Sequence, residues 1–131
     1  MKWLLSSVLT IIAILGYAAA RPPEGKAARR VVIVKSPRGE AAFTPPAVTC
    51  WAGDQLTWEN LTTADHYPGV LNKDGSFVGF FPAALKPGAV SQVFSPGAEL
   101  DKDNKQVPYT IHYLCALHRN EQGTIHVNAT P

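Results

Sequence analysis

Three residues near the C-terminal end could do chemistry: Cys115, His118 and Glu121, a thiol, an imidazole and a carboxylate at three-residue steps. In so short a turn, such steps bring all three side chains onto one small ion. A thiolate beside an imidazole suits copper or zinc far better than calcium or magnesium, whose hard ions favour oxygen. The segment reads first as a metal site.

Flanking elements must hold those groups together. Before the turn, Ile111, Tyr113 and Cys115 alternate with His112 and Leu114; after it, Ile125 and Val127 alternate with His126. Both runs carry the period of two of a half-buried strand, so the spacing predicts strand, tight loop, strand. His112 and His126 fall on the face away from the core and are expected to be exposed. Upstream, the β-branched run 31–34 reads as a buried strand and Ser36-Pro37-Arg38-Gly39 as a turn. Pro45-Pro46 confines its segment to an edge strand or a crossing connection. Gly53-Asp54, between the runs around Cys50 and Trp58, predicts a hairpin, and Asn60 opens a polar loop that ends at His66. Turn residues crowd 66–90, leaving room for at most a short helical turn over 83–85; 90–94 reads as a strand and 95–108 as a polar loop. Trp51 and Trp58 are expected to serve packing. About seven to eight short strands with turn chemistry between them predict an all-β, Greek-key β-sandwich.

At the N-terminus, Lys2, the uncharged run 4–15 and Ala18-Ala19-Ala20 before Arg21 have the form of a secretory signal peptide over residues 1–20. An uncleaved leader acting as a membrane anchor is the alternative. Residues 21–28 are expected to be a flexible lead-in, with Arg21, Lys26, Arg29 and Arg30 as a solvated basic cluster, and residues 29–131 to form one domain. Cleavage leaves no membrane span and places the chain in the periplasm or outside the cell. The formal net charge of +2, part of it Lys2, gives no reason to expect nucleic acid. Cys50 and Cys115 in an exported chain raise a disulfide as one option. The other is a ligand thiolate at Cys115 with Cys50 as a small buried apolar group. No nucleophile elbow, paired-carboxylate or zinc-protease pattern occurs, so no enzyme is expected.

Together these features resemble the cupredoxins, the small type 1 blue copper proteins that include plastocyanin, amicyanin and azurin. The resemblance rests on Gly53-Asp54-x-Leu56-x-Trp58-x-Asn60, a histidine six residues after that asparagine, the Asp74-Gly75-Ser76-Phe77 and Leu85-Lys86-Pro87-Gly88 turns, and Tyr113-x-Cys115-x-x-His118 followed by Gly123-x-Ile125-x-Val127. It implies one copper ion, cycling between Cu(I) and Cu(II), held in plane by His66, Cys115 and His118. Where the family usually has an axial methionine, two residues before the glycine, this chain has Glu121, and its only methionine is Met1. The axial position then falls to Glu121, to a carbonyl such as that of Asp65, or to nothing; as a plain alternative, Glu121 is a solvated loop carboxylate.

Around the ligands the resemblance points to four further residues. They are Asn60; Asp65, orienting His66 or capping its loop; Tyr67, in place of the family's common asparagine, with an N–H able to reach the sulfur; and Leu117, with an N–H able to add a second bond. Redox partners would dock on an apolar rim of Pro68, Pro82, Ala116 and Leu117, with Phe80 or Phe81 assigned to rim or core. The implied function is an exported, monomeric carrier of single electrons between redox protein partners. The alternative is a copper-binding module for metal handling or sensing. Zinc, in a closed set of two histidines, a cysteine and a glutamate, is the second choice of metal.

Overall fold

The computed structural model describes residues 27–35 and 39–129. Residues 1–20, read as a signal peptide, nearly all of the expected 21–28 lead-in and most of the expected Ser36–Gly39 turn lie outside the described residues. Ten strands follow in chain order: β1 (Ala28–Lys35), β2 (Ala41–Thr44), β3 (Ala47–Trp51), β4 (Gln55–Asn60), β5 (Pro68–Leu71), β6 (Phe77–Gly79), β7 (Glu99–Leu100), β8 (Gln106–Val107), β9 (Tyr109–Cys115) and β10 (Gln122–Asn128). There is no helix among the described residues, and so none long and apolar enough to cross a membrane.

Apolar alternation builds two sheets, one of order β2-β1-β4 and one of order β3-β10-β9-β5-β6, with β7 and β8 as a separate ribbon. Both sheets are mixed: β1 runs parallel to β4 and β3 parallel to β10, while β9 and β10 pair antiparallel with Tyr113 opposite Gly123. Val31, Ile33, Phe43, Leu56 and Trp58 from the first sheet meet Val48, Cys50, Tyr113, Ile125 and Val127 from the second. Fully burying each aliphatic side chain contributes roughly 1.5–3 kcal/mol. Trp58 sits at the centre, its ring against Phe80, Phe81, Phe94 and Tyr113 and its Nε1 donating to the Tyr113 hydroxyl at 3.3 Å. Phe80 and Phe81 therefore belong to the core and not to a surface rim.

Several sequence expectations are corrected. Gly53-Asp54 does not close a hairpin, because β3 and β4 lie in different sheets. The chain arches across the core there. Asp54 holds the arch, accepting from the N–H groups of Ala27 and Trp51 while Ser95 Oγ donates to its carbonyl. Residues 90–94 form no strand; they touch β4 through single bridges, Val90 to Glu59 and Phe94 to Leu56. The 95–108 loop contains the β7–β8 ribbon, and 83–85 is not helical. Arg29 and Arg30 belong to β1 and not to a loose arm, with Arg30 reaching Glu59 at 3.7 Å. Pro45-Pro46 is the crossing from β2 in one sheet to β3 in the other.

Candidate metal centre

Two loops bring the site together, one after β4 and one after β9. Residue 66 is clipped in place by a two-way bridge: its N–H donates to the Leu85 carbonyl at 3.1 Å and its carbonyl accepts from Leu85 at 2.7 Å. The second loop is a pair of three-residue turns, with His118 N–H donating to the Cys115 carbonyl and Glu121 N–H to the His118 carbonyl. Cys115 N–H donates to the Glu121 carbonyl at 3.0 Å and shuts the loop. The three-residue steps thus stack thiol, imidazole and carboxyl on one side.

One donor atom from each of His66, Cys115, His118 and Glu121 lies within 4.8 Å of the others. The Cys115 sulfur is 3.8 Å from His66 Nδ1 and 3.6 Å from His118 Nδ1, and Glu121 Oε2 is 2.9 Å from His66 Nδ1 and 4.0 Å from His118 Nδ1. Cys115, His66 and Glu121 are buried, whereas the His118 side chain is 45% exposed. Glu121 is therefore not a solvated loop carboxylate. No disulfide joins Cys50 and Cys115, and Cys50 sits in the core.

Burial raises the Glu121 carboxyl to about 7. Burial, then the charge of His118, lowers the His66 imidazole, with Asp65 opposing. Among the described residues neither Glu121 oxygen has a hydrogen-bond partner, so the short approach to His66 Nδ1 is not aligned as a hydrogen bond. A buried carboxyl without a donor is costly unless a cation satisfies it. This orphaned carboxyl, facing a thiol and two imidazole nitrogens, fits a transition-metal ion, and the sulfur selects copper or zinc.

Tyr67 N–H donates to the Cys115 sulfur at 3.3 Å, and the Tyr67 carbonyl accepts from Ala116 at 2.9 Å. Backbone atoms at Tyr67 thus pin the two loops together. The Tyr67 hydroxyl donates to the Phe81 carbonyl, and its ring lies where a Cβ on Gly79 would fall. Leu117 N–H makes no bond to the sulfur among the described residues. Asn60 is fully buried and bonds the carbonyls of Ala64 and Leu85 through Nδ2, holding the first loop.

The orienting role expected of Asp65 falls elsewhere: its carboxylate pairs with Lys86 at 2.7 Å, and His66 Nε2 meets the Thr62 hydroxyl at 2.7 Å. Sequence reasoning missed Thr62. The available signal was a hydroxyl one turn before the histidine and two residues after Asn60. Of the expected rim, Pro82 and Leu117 are exposed and Ala116 half-buried, but Pro68 is fully buried, paired with Cys115 between β5 and β9. His112 and His126 are exposed, as their strand faces predicted.

No protein-family model matches the chain, and no curated protein matches it. Solved structures do match. An amicyanin mutant in the Cu(I) state gives a TM-score of 0.57 at 18% identity, over 78% of this chain and 83% of that one. A reduced amicyanin mutant gives 0.54 at 18% identity, over 85% and 89%. A purple cupredoxin from Nitrosopumilus maritimus gives 0.55 at 18% identity, over 76% and 98%. The fold of this chain is the cupredoxin fold, with a His-Cys-His-Glu cluster brought together by two of its loops.

Proposed function

We propose that the chain is an exported, monomeric copper protein that passes single electrons between protein redox partners. The observation that carries this reading is the convergence of one thiol, two imidazoles and one buried carboxyl from two loops pinned together by backbone hydrogen bonds. Bound copper would supply a one-electron couple at this set of donors. The residues supply position. Leu85 clips His66, the two turns place Cys115, His118 and Glu121, and a change of charge then finds the donors already in place. Tyr67 N–H stabilises negative charge on the sulfur, while Glu121, a hard anionic donor, favours the cupric state and lowers the potential. His118 carries the only half-exposed ring of the set, and Leu117 and Pro82 give its surroundings an apolar rim for a partner.

Glu121 also favours a second reading, a copper-binding module for metal handling or sensing, because a carboxylate that strongly prefers one oxidation state slows electron exchange. Stopped-flow measurement of electron self-exchange separates the two. Fast exchange at protein concentrations in solution is expected of a carrier; sluggish exchange with tight copper binding supports the module.

A further inference from the structure

We propose that Thr62 fixes the ring tautomer of His66, leaving Nδ1 bare toward Cys115 and Glu121 before any metal arrives; this role rests on the copper-site reading above. The assignment follows from counting protons outward from the buried end. Asn60 Nδ2 faces two carbonyls, Ala64 at 2.7 Å and Leu85 at 3.0 Å, so it must be the amide nitrogen, and Oδ1 must be an acceptor. Oδ1 receives the Thr62 N–H at 2.9 Å and the Thr62 Oγ1 at 2.7 Å. The single hydroxyl proton of Thr62 is thereby spent. Its only other acceptor nearby besides the histidine is the Ala64 carbonyl at 3.1 Å, while Ala64 N–H donates to Oγ1 at 3.3 Å.

Toward His66 Nε2, 2.7 Å away, Thr62 therefore offers a lone pair. Only a protonated Nε2 satisfies that contact. In a neutral imidazole a proton on Nε2 means none on Nδ1, the nitrogen that faces the sulfur and the carboxyl. Water has no access to correct the choice, because His66 is 1% exposed. The opposite tautomer would put a proton on Nδ1, 2.9 Å from Glu121 Oε2, and close the site against a cation. Thr62 is thus a positioning residue, acting on the metal only through His66.

The test is ring-nitrogen NMR of metal-free, ¹⁵N-histidine-labelled full-length protein at mildly alkaline pH, for the wild type, Thr62→Val and Thr62→Ser, paired with Cu(I) affinity by chelator competition. The wild type and T62S are expected to show His66 with Nε2 protonated and Nδ1 bare. T62V is expected to populate the Nδ1–H form and to lose about 10–100-fold in Cu(I) affinity, the usual cost of losing such a partner. A wild-type ring carrying its proton on Nδ1, or T62V with unchanged tautomer and affinity, would overturn the proposal. Should T62V not fold, the wild-type shifts decide alone. The tautomer is read without metal, so a wild type that takes up no copper refutes the copper reading while leaving Thr62 tested.

Discussion

The carboxyl of Glu121 lies 2.9 Å from Nδ1 of His66, with both side chains out of solvent and, among the described residues, neither carboxyl oxygen in a hydrogen bond. A shared cation would satisfy both groups at once, and the carboxyl has no other donor among the described residues. With copper in the site, Glu121→Met replaces a hard anionic donor by a soft neutral one. The potential is expected to rise by more than about 60 mV, a tenfold shift in a one-electron equilibrium. The absorption, shifted toward green or red in the parent, should move back toward blue. Protein-film voltammetry and an optical spectrum check both; an unchanged potential would show that Glu121 does not ligate.

The metal-free protein should respond to pH through the same residue. The folded-state value for Glu121, about 7, lies above its ordinary 4.5, so the folded state holds its proton more tightly than the unfolded chain. Stability is then fully present below the lower value and falls as pH rises through the higher one, by on the order of 3 kcal/mol. The lowered His66 value acts in the other direction, costing stability as pH falls below the ordinary histidine range. Thermal melts of the metal-free protein should lose Tm between pH 5 and 8 (about the window these shifts define), and Glu121→Gln should flatten that loss. Copper should restore most stability at the alkaline end, because the ion favours the carboxylate.

Gly123 faces Tyr113 across β9 and β10, and a Cβ there would lie 2.3 Å from the tyrosine ring. Gly123→Ala must displace the ring of Tyr113, which lies two residues before Cys115 and bonds Trp58 Nε1. A loss of about 1–3 kcal/mol is expected from overpacking, with a shift of the thiolate band that urea melts and spectra would detect. Gly97→Ala, where a Cβ meets nothing within 4 Å, serves as the control, with a change inside about 0.5 kcal/mol.

Cys50 is buried on β3, in no disulfide, in the core and outside the cluster of His66, Cys115, His118 and Glu121. Cys50→Ala should therefore leave the copper spectrum intact and cost about 1 kcal/mol of stability, the scale of one small buried group. Loss of the visible band in this variant would tie Cys50 to the site.

Much of this was legible in the chain. Alternation at Ile111, Tyr113, Cys115, Ile125 and Val127 marked β9 and β10, and the spacing of Cys115, His118 and Glu121 marked the turn between them. Alternation reports which residues face the core but not which sheet carries them. Val48 and Cys50 therefore looked like hairpin partners of Leu56 and Trp58, although they sit in the opposite sheet. The burial of Glu121 was not readable, since a single acid in a loop takes its environment from the distant His66. Pro68 looked like rim because nothing local signals its pairing with Cys115. Thr62 was missed for a related reason: one hydroxyl in a polar loop leaves no periodic trace.

The most direct test of the central claim is the optical and EPR spectrum of the copper-loaded protein, taken beside that of Cys115→Ser. Ligation by Cys115, His66 and His118 predicts an intense visible thiolate-to-copper band and a narrow copper hyperfine splitting, both lost in C115S at equal copper content. A colourless loaded protein, or a spectrum indifferent to C115S, would contradict it.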